Sequence, residues 1–276
     1  MKTLYHISEY LYEQTSGSLY KGTHISSGQS VLIYRLSFES TKCDFVNWEE
    51  VFNLTIAELK STPSSYLVEV LDCFIDEHGP HIVMKNPDIT PLRHLFPDAM
   101  PMSDLHQFVV ESLNALEDVH KFHHVHGGIS PESFIVSPNA DGSQTYKMID
   151  LFIKELVPFL NGWPVDAYIP SHPALLPAEF FEGEIVDQRS DIYTLGQTFY
   201  YMALGGHPFV ELDNEEIYSR HKNHSIYELK VILPNFPEEL SDLIEYMTQA
   251  DPKDRPQSIQ QLRENQIFAP LQASAS

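Results

Sequence analysis

The residues best suited to chemistry lie in one short run, His126-Gly127-Gly128-Ile129-Ser130-Pro131-Glu132-Ser133, followed by the apolar Phe134-Ile135-Val136. The run offers an imidazole, two hydroxyls and a carboxylate around a central glycine. Gly128 has no side chain, so it can neither take up a proton nor hold a cation. His120, His123 and His124 join His126 in the densest group among the chain's 14 histidines. Such a group raises the question of a metal site. A structural His126, with the others at a helix end that favours cationic side chains, accounts for it more simply. Asp150, in Asp150-Leu151-Phe152, is a lone carboxylate downstream, and a single carboxylate is a weak divalent site.

These residues need elements to position them. Met102–Phe122 reads as a helix with Ser103 as its N-cap and an apolar stripe of Phe108, Val109, Leu113, Leu116 and Val119. It delivers the chain to the 126–133 run. Beyond that run, Ser133–Ser137 and Thr145–Ile149 flank Asn139-Ala140-Asp141-Gly142, a hairpin signal. Residues 4–36 read as antiparallel strands, the last being Val31-Leu32-Ile33-Tyr34-Arg35-Leu36. Residues 44–61 carry a helical pattern of Phe45, Trp48, Val51, Phe52, Ile56 and Leu59. Tyr66–Asp76 and His81–Met84 read as two further strands around Asp76-Glu77-His78-Gly79. Pro87-Asp88-Ile89-Thr90-Pro91 marks a boundary by composition.

In order and spacing, these pieces resemble a protein kinase of the Ser/Thr type over roughly Tyr10 to Phe268. The resemblance implies an α+β, two-lobed protein kinase-like fold. Residues 1–86 would form a small antiparallel β lobe with one helix, and 87–276 a large, mainly helical lobe, together a single domain. The 126–133 run resembles the family's catalytic loop, H-R-D-x-K-P-x-N. Gly128 stands where the family keeps its catalytic Asp, Ser130 where it keeps a Lys and Ser133 where it keeps a metal-binding Asn. Of the three glycines of the phosphate loop only Gly17 remains, with Tyr12 and Gln14 in the other places. Tyr34 replaces the strand Lys that pairs with the phosphates, and Leu32 the small residue lining the adenine slot. The helix Glu that pairs with that Lys would fall near Asn53–Thr55, with Glu49 and Glu50 close by. A vestigial nucleotide pocket would comprise Gly17, Leu19, Leu32, Tyr34, Met84 (the gatekeeper position), Ile135 and Asp150. Asp150-Leu151-Phe152 resembles D-F-G, whose Asp ligates magnesium, and Asp150 is the sole candidate ligand if a metal binds. Lys85-Asn86-Pro87 falls at the hinge.

The motifs that hold the large lobe are kept. Pro177-Ala178-Glu179 resembles A-P-E with two residues exchanged, Ser190-Asp191-Ile192-Tyr193-Thr194-Leu195-Gly196 resembles S-D-V-W-S-L-G, and Asp251-Pro252-Lys253-Asp254-Arg255-Pro256 fits D-P-x-x-R-P. The resemblance implies a buried Glu179–Arg255 ion pair, an Asp191 that braces the 126–133 loop through backbone amides, and a structural His126. Segment 153–176, with Pro158, Pro164, Pro170 and Pro173, would be the activation segment, and Tyr168 and Ser171 its candidate phosphosites.

Composition narrows the partners. Hydrophobic residues at 42% permit a large core, and a net charge of -22 argues against nucleic acid and anionic membranes. Cys43 and Cys73 have no metal spacing and read as reduced thiols of a cytoplasmic protein. No signal peptide or membrane span is visible. The expected function is a pseudokinase: a catalytically inactive binding, scaffold or regulatory module for a protein partner, such as an active kinase or a phosphatase. No cofactor is expected. The alternative is a divergent ATP-binding enzyme that binds ATP and magnesium weakly, with Asp150, and with Glu132 or Asp141 as substitutes, in rebuilt chemistry.

Overall fold

β-Branched and aromatic side chains at a period of two set the first part of the chain into strands. In the computed structural model these are Tyr5–Gln14 (β1), Gly17–His24 (β2) and Ser30–Leu36 (β3). The helix Trp48–Lys60 (α1) follows, then Val70–Asp76 (β4) and Gly79–Lys85 (β5). The structure describes residues 4–14, 16–37, 48–61, 64–85, 89–122, 125–149 and 171–268. Asp150, Leu151-Phe152, most of segment 153–176 with Tyr168, the hinge residues Asn86 and Pro87, and Cys43, His123 and His124 lie outside the described residues.

The five strands pair antiparallel in the order β1-β2-β3-β5-β4. Register lines up one row of side chains across the whole sheet. Tyr12 faces Leu19, Leu19 faces Tyr34, Tyr34 faces Ile82, and Ile82 faces Cys73. A second row runs Leu32, Met84, Val70. Both rows pack in one apolar cluster with Phe52 and Ile56 of α1. Residues one step off, Val31, Ile33 and Val83, form a smaller cluster on the opposite face.

The large lobe begins with the short Thr90–Pro91 (β6) and Leu92–Leu95 (α2), then the long Met102–Lys121 (α3). A 3-10 turn at Pro131–Ser133 leads into Phe134–Pro138 (β7) and Gln144–Met148 (β8), which pair with β6 in the order β6-β7-β8. Ala178–Phe181 (α4), Gln188–Leu204 (α5), Asn214–Lys222 (α6), Leu229–Ile232 (α7), Glu238–Met247 (α8) and Ile259–Glu264 (α9) complete it. Its core centres on Phe108, which meets Phe134, Tyr146 and Phe199 edge-on at 4.9–5.7 Å. That geometry suits the aromatic quadrupole. The architecture is the two-lobed α+β arrangement that the resemblance implies.

Two local expectations fail. The fourth strand starts at Val70, not Tyr66. The backbone at 66–68 is instead engaged by the end of β8: Val68 N donates to Met148 O at 3.0 Å, and Met148 N to Tyr66 O at 2.9 Å. Ser103 is not the N-cap of α3. The helix begins at Met102 after Pro101, which is already held at φ -56, and no side chain caps it. Ser103 then falls inside the first turn, where its hydroxyl donates to Asp104 at 3.3 Å.

Candidate functional site

Asp191, near the start of α5, organises the 126–133 loop. Its side chain is fully buried. One carboxylate oxygen accepts from the amide of Gly127 at 2.7 Å. The other accepts from the amide of His126 at 2.8 Å and pairs with His120 Nε2 at 2.9 Å. Gly127 turns at φ 77, in the region glycine reaches without steric cost. His126 is buried beside it. Further along, the Ser133 hydroxyl accepts from the Ser130 amide at 3.1 Å, and the Ser133 amide donates back to the Ser130 carbonyl at 3.0 Å. Pro131 between them fixes the turn. Ser130 and Ser133 are buried and serve the loop's own conformation.

Across from this loop lies the inner face of the small-lobe sheet. Leu19, Leu32, Tyr34, Met84 and Ile135 are each at most 1% exposed and share one apolar cluster. The Tyr34 phenol hydrogen-bonds to the Ser16 hydroxyl within that interior. On α1 the side chains turned to the sheet are Phe52 and Ile56, while Glu49, Glu50 and Asn53 are exposed. The carboxylates Glu49 and Glu50 thus lie on the side of α1 turned away from the sheet. Gly17 sits where a Cβ would lie 2.1 Å from the Arg35 carbonyl oxygen. The tight pairing of β2 with β3 is enough to require glycine there, with no phosphate involved.

Glu179 and Arg255 come together beneath the loop. Arg255 Nη1 donates to Glu179 Oε1 at 2.5 Å and Nη2 to Oε2 at 2.9 Å, a two-pronged pair buried on both sides. Arg255 also donates to the carbonyls of Gln249 and Ala250, and its guanidinium lies 4.5 Å over the Tyr193 ring. Ser190 donates to Glu179 at 2.9 Å.

Beside this pair is a buried imidazole cluster that the sequence did not reveal. His221 Nδ1 meets the Tyr193 hydroxyl at 2.5 Å, and His207 Nε2 meets Gln197 at 2.9 Å. Burial pushes His207 down to about 3, helped by His221 and His172. Burial likewise pushes His221 down to about 4, and Arg255 adds to it. Both are neutral in the folded chain near pH 7. Below their ordinary value of 6.5 the unfolded chain takes up protons that the folded chain refuses, so stability falls as pH falls from 6.5 toward 4. The loss should reach about 2 kcal/mol per histidine at pH 5. His224, raised by its hydrogen bond to Glu245, works in the opposite direction. A His221→Gln variant isolates the effect: urea midpoints between pH 7 and 5 should fall less steeply than in the parent. Parallel curves would contradict this account.

Of the expected site residues, the structure places Leu19, Leu32, Tyr34, Met84 and Ile135 in one cluster, and His126, Ser130, Ser133 and Asp191 around one loop. Gly128 is buried in that loop, and Asp150 lies outside the described residues. Among the described residues, no group of three or more His, Cys, Asp or Glu is arranged to hold a metal. No helix among them is long and apolar enough to cross a membrane. The helix-end expectation covers only part of what His120 does. Its spacing ahead of His126 gave no sign that it shares Asp191 with the loop.

Comparison with known proteins agrees with this geometry. The protein kinase domain model matches residues 5–268. The protein named "Probable serine/threonine-protein kinase CPE1738" of Clostridium perfringens is 24% identical over 226 residues, covering 80% of this chain and 32% of the relative. Serine/threonine-protein kinase PknL of Mycobacterium tuberculosis is 24% identical over 192 residues, covering 68% of this chain and 47% of that protein. The chain thus spans a third to a half of the length of these curated relatives. The crystal structure of the Mycobacterium tuberculosis PknI kinase domain (a double mutant) superposes with a TM-score of 0.69 at 17% identity, covering 99% of this chain and 96% of that one, a likeness of fold. With the two lobes, the braced loop and the buried Glu179–Arg255 pair all in the places that the family model spans, the chain belongs to the protein kinase domain family.

Proposed function

We propose that this chain is a catalytically inactive member of the family, a pseudokinase that acts as a binding, scaffold or regulatory module for a protein partner. The observation that carries this reading is the filled inner face of the small lobe. Leu32 and Tyr34 occupy, as packed interior, the wall a nucleotide would need. Tyr34 brings a neutral phenol where phosphates call for an ammonium group. Gly128 offers no base, and Ser133 supplies its hydroxyl to the Ser130 amide. These residues do not fit a nucleotide with magnesium. The partner would be a protein such as an active kinase or a phosphatase, met on the large lobe and the proline-rich 158–177 stretch. The acidic balance disfavours nucleic acid and anionic membrane. A cytoplasmic setting, with reduced cysteines, belongs to the same proposal.

The experiment is a thermal scan with and without ATP and magnesium. Ligand at a hundred times its dissociation constant would add about 2.7 kcal/mol, a plainly visible shift. We expect none. The relatives' names as serine/threonine-protein kinases favour a second reading, a divergent ATP-binding enzyme using Asp150. A magnesium-dependent rise in melting temperature, with labelled phosphate transfer lost in Asp150→Ala, would establish that reading instead.

A further inference from the structure

At one seam between the lobes Val68 and Tyr66 exchange backbone hydrogen bonds with Met148, beside the Val68, Ile135 and Ile149 side chains of the shared apolar cluster. A motion that opens the cleft would turn about this seam and part the front. At the front a side chain crosses. Tyr12, near the end of β1, donates its phenol hydrogen to the carbonyl of Glu132 at 3.1 Å, across 120 residues of sequence. The ring of His94, on α2 of the large lobe, approaches the Tyr12 ring edge-on, with centroids 6.2 Å apart and planes at 73°. The other side of Tyr12 packs on the shared apolar cluster through its row partner Leu19.

We infer that Tyr12 is a latch that ties the small lobe shut onto the 126–133 loop, so that closure of the cleft is carried by a side chain of the chain itself. Three features support this. The acceptor is a backbone carbonyl in a turn fixed by Pro131 and the Ser130–Ser133 bonds, so it is held in place. The donor is held by strand pairing on one side of its row and by His94 on the other. A phenol has two χ angles to fix, so ordering it costs less than ordering a lysine or arginine would. A partner surface that spans both lobes would then be presented in one arrangement.

This goes beyond the proposed function, and the two can fail separately. The test measures the distance between spin labels at exposed positions on the two lobes, Gln29→Cys and Glu238→Cys, in a chain carrying Cys43→Ser and Cys73→Ser. The same pair is then measured with Tyr12→Phe, which keeps the ring and removes only the hydroxyl. The parent should give one narrow distance. The phenylalanine variant should raise the population of a longer distance about three- to tenfold, the range that one net hydrogen bond supplies. Hydrogen exchange on the unlabelled Tyr12→Phe chain provides a second readout: amides of β1 and of residues 129–134 should exchange faster by the same factor, and those of β4 should not. Identical distance distributions and identical exchange in parent and variant would overturn the latch. A nucleotide-dependent melting shift would overturn the proposed function and leave the latch standing.

Discussion

Replacing Arg255 by alanine is expected to cost about 3–5 kcal/mol of folding stability, the usual consequence of leaving one half of a buried ion pair behind. Arg255 is the bulkiest fully buried side chain among the described residues. Its loss strands the Glu179 carboxylate in the interior, where the Ser190 hydroxyl still donates to it. It also frees the carbonyls of Gln249 and Ala250 and removes the cation from the face of Tyr193. Lysine should recover a minor part, because an ammonium group cannot reproduce the planar fork. Urea unfolding measures the difference directly. A change below about 1 kcal/mol would mean that the pair does not hold the large lobe together.

Asp191→Ala should be nearly as severe. The carboxylate is fully buried and takes hydrogen bonds from the amides of His126 and Gly127 and from His120. Each buried donor left without an acceptor costs about 1–3 kcal/mol, so three of them put the expected total at about 3 kcal/mol or more. Asp191→Asn keeps one acceptor oxygen and should lose roughly half as much. The decisive local signal is hydrogen exchange. The amides of His126 and Gly127 should lose protection in the alanine variant before the chain as a whole unfolds. Retained protection at those two amides would show that the brace lies elsewhere.

Much of this arrangement was legible in the sequence because it is written in short-range chemistry. The β-branched, apolar run Val31–Leu36 gives a strand, the Asn139-Ala140-Asp141-Gly142 turn gives a hairpin, and the apolar stripe from Phe108 to Val119 gives α3. Glu179, Asp191 and Arg255 fall on motifs of the family that the chain resembles, and the resemblance implies the Glu179–Arg255 pair and an Asp191 that braces the loop through backbone amides. What stayed hidden depends on register and on long-range approach. Tyr12 read as a bulky replacement for a glycine, and nothing local says that it reaches Glu132. No motif marks His207 and His221: the packing of α6 brings His221 to Tyr193, and the loop that follows α5 folds His207 back onto Gln197. The start of β4 was misplaced because Tyr66–Val68 has strand-like composition yet finds its partner in Met148, which no local pattern names.

The apolar cluster under the five-stranded sheet draws Ile135 and Ile149 from the β7–β8 hairpin and Ile89 from just before β6. The small lobe therefore has no floor of its own. Its inner side chains are sealed by residues that belong, by sequence and topology, to the other half. Melting either half would wet the other, so heat should melt the two halves on either side of residue 86 together, in one transition.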